Sequence, residues 1–170
     1  DASYTVNDGE VGTIAAPLTT DVGGTLTINA RDDISVADLG DLVLIANSAT
    51  GQVNATAVGD LWLSNTNGQN LVIGPVVAGG DVHILATGGS VIEGNRYGAA
   101  AQVTGRSIII GALGTVGTAE NPFDVDTASG TGFLAVMGFF VVINEISGNL
   151  MIGQILSGGI VRISAPGNIT

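Results

Sequence analysis

Side chains able to do chemistry are few in this chain: fifteen acids, four arginines and one histidine in 170 residues, with no cysteine and no lysine. Carboxylates recur near turn residues, at Asp32, Asp33, Asp38, Asp41, Asp60 and Asp81. A row of carboxylates can hold Ca2+, and a converging pair can cleave a glycosidic bond. Aspartate also favours turns, because its side chain hydrogen-bonds nearby backbone. The turn reading is preferred. Gly79-Gly80-Asp81 lacks the glycine spacing of a calcium-binding repeat, and few aromatics or cations are present to hold a sugar. No catalytic residue and no cofactor is assigned, and Ca2+ stays as the alternative for the aspartates. His83 alone cannot build a histidine metal centre, and no Ser-His-Asp pattern surrounds it. It reads as an outward filler on a strand. The pairs Gly23-Gly24, Gly79-Gly80 and Gly158-Gly159 precede no lysine, so they read as chain corners rather than phosphate loops.

The elements that position these residues come from a repeat. A glycine, a small or polar residue and alternating aliphatics recur at Gly24-Thr25-Leu26-Thr27-Ile28, Gly40-Asp41-Leu42-Val43-Leu44, Gly59-Asp60-Leu61-Trp62-Leu63, Gly80-Asp81-Val82-His83-Ile84 and Gly159-Ile160-Val161-Arg162-Ile163. Their spacing centres near about twenty residues. Residues 69–88 align with 148–167 without a gap, with about half of the positions identical. The shared positions are aliphatics and glycines. The differing ones, such as His83 against Arg162, lie between them.

The local period is two, which places Leu61, Leu63, Val82 and Ile84 inward and Trp62 and His83 outward. No stretch shows a helical period. A single coil of this kind cannot bury its own aliphatic face, so neighbouring coils must cover it and pair its backbone. The expectation is an all-β parallel solenoid of seven or eight coils over residues 24–170. Residues 1–23 lack the phrase and are expected to form an irregular cap or a strand-donating segment.

Composition narrows the function classes. The net charge is −11, and the cations Arg31, Arg96, Arg106 and Arg162 are scattered. Nucleic-acid binding needs clustered cations to displace counterions, so it is not expected. Membrane insertion is not expected either, because the longest apolar run, 133–143, is interrupted by Gly138 and falls short of roughly 18 residues. With no leader at Asp1, the chain reads as a mature or excised piece.

The phrases from Gly80 to Val91 and from Gly159 to Ile169, with the corner from Gly114 to Val125 that contains Asn121-Pro122, resemble the β-helical repeats of filamentous-haemagglutinin-like exoproteins and large bacterial adhesins. That resemblance implies a right-handed β-helix, secretion from a bacterium, and a structural or adhesive role at the cell surface, in biofilm or in an extracellular fibre, without catalysis. A host or matrix receptor would be the partner. Two alternatives are a filament subunit that stacks end to end and a carbohydrate-active enzyme on the same scaffold.

Two regions are expected to make contacts. The segment from Gly132 to Ile143 is apolar on both alternating faces, so half of it should face outward and need a cover. Phe133, Val136, Phe139, Phe140 and Val142 are the expected lateral contacts, unless residues 95–102 or 118–127 fold across them. Tyr4, Val6, Ile163 and Ile169 are the expected end contacts, either with further coils of a parent chain or with a second copy.

Overall fold

The computed structural model of the chain describes residues 1–94, 100–128 and 131–170. Arg96, Tyr97 and most of the 95–102 cover expected for the apolar segment lie outside the described residues.

The chain winds as a β-solenoid of about eight turns, about twenty residues each. The first four coils contain β1 (Ala2–Val6) and β2 (Leu18–Thr20), β3 (Thr25–Ala30) and β4 (Ile34–Asp38), β5 (Leu42–Ser48) and β6 (Val53–Ala57), and β7 (Leu61–Asn65) and β8 (Leu71–Ala78). The fifth contains β9 (Val82–Ala86), β10 (Val91–Glu93) and β11 (Val103–Gly105). The last three contain β12 (Ile108–Ala112) and β13 (Phe123–Thr127), β14 (Leu134–Gly138) and β15 (Val141–Glu145), and β16 (Ile152–Ser157) and β17 (Val161–Ser164). One strand of each coil joins a first sheet, β1-β3-β5-β7-β9-β12-β14-β16. The others build a second sheet running β2-β4-β6-β8-β11-β13-β15-β17, with β10 also paired to β8. At ~4.8 Å per coil the stack is about 38 Å long.

Parallel in-register pairing turns the local alternation into ladders. Leu26 pairs with Leu44, Leu44 with Leu63, Leu63 with Ile84, Ile84 with Ile110 and Ile110 with Val136. All six are buried. In the second sheet Val36, Ala55, Val76, Val103 and Val125 form an equivalent ladder, which ends on Glu145. Branched and small side chains of similar size stack here coil on coil, which is why the core needs almost no aromatics. Among the described residues Phe123 is the exception, the largest of the fully buried side chains.

The gap-free repeat has a different meaning in three dimensions. Leu71–Ala78 is β8 of the second sheet, whereas the aligned stretch carries β16 of the first. Val82–Ala86 lies in the first sheet, and its counterpart β17 lies in the second. The repeat therefore equates the two walls rather than whole coils. Both walls need the same inward aliphatics and the same glycine corner, so one phrase serves either.

Residues 1–23, expected as an irregular cap or strand donor, supply the terminal strand of each sheet. β1 pairs with β3, β2 with β4, and Val11 bridges to Ile34. Their longer corner, 7–17, hides the repeat phrase in the sequence.

Candidate functional site

The aspartates are explained by the corners. Asp41 Oδ1 accepts the Asp60 N–H at 2.8 Å, Asp60 Oδ1 accepts the Asp81 N–H at 2.8 Å, and Asp81 Oδ1 accepts the Ser107 N–H at 3.0 Å. Each carboxylate thus satisfies the amide that starts the next coil. Asn70, Ser90 and Asn149 do the same at other corners. Asp38 is buried and collects the Thr20 hydroxyl and the Val22 and Gly40 amides. Arg106 grips Asp81 with two nitrogens, and this guanidinium pulls the Asp81 carboxyl down to about 2. Among the described residues no group of three His, Cys, Asp or Glu side chains is placed to hold a metal ion.

An open concavity lies on the outer face of the first sheet. Outward positions form two columns there. One runs Val43, Trp62, His83, Ile109, Ala135, Gln154, and the other Ile45, Ser64, Leu85, Gly111, Met137, Leu156. Large side chains alternate with small ones across these columns. Ser64, Gly111 and Ala135 leave a floor, and Trp62, Leu85, Met137 and Leu156 rise beside it. The result is an open groove of about 520 Å3. Leu85 and Met137 close over Gly111, where an added Cβ would stand 3.0 Å from Leu85 Cδ1 and 3.7 Å from Met137 Cε.

The Trp62 and His83 rings stack with centroids 5.3 Å apart and planes 17° apart. Pairing in register places the two rings one coil apart, so the strand spacing sets the stack. Beside Trp62 and Val43 a second hollow of about 350 Å3 opens, bordered by Asp21, Asp38 and Asp41. The groove therefore has an apolar length and an acidic end.

The expected lateral contacts divide. Phe133, Phe139 and Phe140 are exposed, Phe139 most at 53%. Val136 is buried because it shares the inward phase of Leu134 and Gly138. Val142, paired with Arg162 between two neighbouring strands, is only 7% exposed. Neither valine offers a surface. Residues 118–127 do not cover the phenylalanines, since they form a corner and then β13 inside the second sheet. Part of the cover is glycine in the next coil. An added Cβ at Gly153 would meet the Phe133 ring at 2.7 Å, at Gly158 the Phe139 ring at 3.0 Å, and at Gly159 the Phe140 ring at 2.5 Å. The rings lean along the solenoid axis onto bare backbone, at Gly153 within β16 and at the Gly158-Gly159 corner that follows it.

At the ends of the stack, Tyr4 and Ile169 are 46% and 45% exposed, while Val6 and Ile163 are half-buried. Tyr4 and Val6 lie at one end and Ile163 and Ile169 at the other, so the two sets do not meet. Comparison with family models, with curated proteins and with solved structures finds no match.

The groove is only partly legible in the sequence. Trp62 and His83 are read as outward from their own strands. Val43, Leu85, Ile109, Met137 and Leu156 belong to it only once the coils are in register. The signal that would have found them is the run of apolar residues at the tolerant positions of successive phrases.

Proposed function

We propose that this chain is a structural and adhesive β-solenoid module of a secreted bacterial surface protein or extracellular fibre, and that it makes contact through the outer face of its first sheet. The observation that carries this reading is the groove. A solvent-facing wall ordinarily alternates apolar inside with polar outside. Here the outward positions across six consecutive coils hold Val43, Trp62, Ile109, Leu85, Met137 and Leu156. A contiguous apolar surface of this kind marks a site of interaction. The stacked coils hold it rigid, so little ordering is lost on contact.

Fluorescently labelled chain is expected to bind cell-coated or matrix-coated plates saturably. The double variant Leu85→Glu, Met137→Glu should lose most of that binding, because both changes put charge on the groove wall and leave the core intact. Equal binding by the variant, or no saturable binding at all, counts against the contact face.

A second reading, end-to-end stacking of copies, is favoured by the exposure of Tyr4, Val161 and Ile169 on the end faces together with the unpaired backbone of the outermost strands. Electron micrographs of the purified chain should then show rods much longer than about 38 Å. Uniform short particles at high concentration remove this reading.

A further inference from the structure

We propose that the groove takes an extended peptide whose Lys or Arg side chain sits in the acidic hollow and whose following apolar residues lie along Leu85, Gly111 and Met137. This deepens the contact-face reading and rests on it.

The charge of the occupant follows from the hollow. Asp21 and Asp41 are exposed at its rim, and Asp38 lies beneath. Among the described residues the ion pairs of arginine go to Asp8, Asp32 and Asp81, and none goes to Asp21 or Asp41. Trp62 borders both the hollow and the groove. A cation held there meets the carboxylates while the apolar stem of its side chain lies against Trp62. A second copy of the chain is a poor occupant: each carries −11, so like charge opposes its approach to an acidic hollow. A negatively charged or neutral partner would leave the hollow without a counter-charge.

The class of the occupant follows from length and lining. The groove crosses β5, β7, β9, β12, β14 and β16, which at ~4.8 Å per strand spans about 24 Å. An extended chain at about 3.3 Å per residue fills this with about seven residues. Of the lining, only Ser64, His83 and Gln154 have polar side chains. A sugar chain of that length would bury many hydroxyls against aliphatic walls without partners, which is unfavourable. Apolar peptide side chains instead match the gaps above Ser64 and Ala135.

Trp62 is the chain's sole tryptophan, so its emission reports on the site. The full chain would be titrated with a seven-residue peptide carrying one terminal arginine followed by alternating leucine and serine. A matched peptide would carry citrulline, which keeps the shape of arginine and removes its charge. The arginine peptide should shift Trp62 emission saturably and bind about tenfold more tightly than the citrulline peptide. Asp21→Asn with Asp41→Asn should erase that difference. Asparagine keeps the oxygen that accepts the Asp60 N–H, so the corner survives, and circular dichroism checks this.

Equal affinity of the two peptides overturns the cation subsite and leaves the apolar groove standing. No response of Trp62 to either peptide, while plate binding still depends on Leu85 and Met137, overturns the peptide class alone. Loss of that dependence overturns the contact face itself.

Discussion

Phe123→Ala is expected to lower the free energy of unfolding by about 3–5 kcal/mol, the largest effect of any single side-chain truncation in this chain. Phe123 has no exposed surface and pairs with Ile143 in the next coil. The surrounding backbone cannot collapse into the space the ring would leave. Gly117, at φ 67°, turns the chain beside it, and a Cβ on that residue would stand 2.7 Å from the Phe123 nitrogen. A cavity that stays open loses packing contacts in addition to transfer energy. In a solenoid each coil is held mainly by its two neighbours, so damage in one coil also loosens the coupling across it. Urea unfolding should show a lower midpoint and a broader transition than the wild type. A loss below about 0.5 kcal/mol, the range of ordinary surface substitutions, would place the ring outside the core.

The second large effect is electrostatic. Glu145 ends the aliphatic ladder of the second sheet and is buried. Its two oxygens accept the N–H and the hydroxyl of Thr127, each at 3.0 Å. Burial pushes its pKa above the usual 4.5, and the Thr127 hydrogen bonds only partly oppose this. Glu145→Ala leaves two buried Thr127 donors without their acceptor and should cost about 2 kcal/mol.

The pH dependence follows from the direction of the shift. The folded pKa lies above the unfolded one, so the unfolded chain binds fewer protons as pH climbs from 4.5 through the folded value. Stability is therefore lost as pH rises through that window and regained on mild acidification. Asp81 acts in the opposite sense. Its contribution is present above its ordinary 3.8 and is lost as pH falls toward about 2, although its surface position keeps the effect small. Midpoints in urea measured across this range should show Glu145→Gln flattening the slope above pH 4.5 and Asp81→Asn flattening the acid limb. If the Glu145→Gln curve parallels the wild type throughout, the carboxyl does not titrate in a buried setting.

Several features could be read from the residues alone, because they depend on a side chain and its immediate neighbours. The alternation in Leu61-Trp62-Leu63 and Val82-His83-Ile84 puts the correct residues inside, since a strand has no other way to sort its faces. Glycine before each phrase marks the corners. The aspartates after those glycines sit where turn chemistry places them, though their bonds reach the next coil rather than their own turn. The phenylalanine segment reads as apolar on both faces. Three of its five expected contact residues are exposed, while Val136 and Val142 are not.

What remained hidden depends on register between coils. The sequence by itself determined that short strands stack as a parallel solenoid, which side of each strand is buried, and that the surface is acidic. It could not assign a strand to a wall, because both walls have the same inward pattern, and so 69–88 and 148–167 match while lying on opposite sides. It could not place residues 1–23 in the first coil, because a long corner breaks the phrase. Nor could it assemble the groove. Val43, Leu85, Met137 and Leu156 stand far apart along the chain, and only tertiary pairing at the spacing of β-strands brings their outward side chains into one surface.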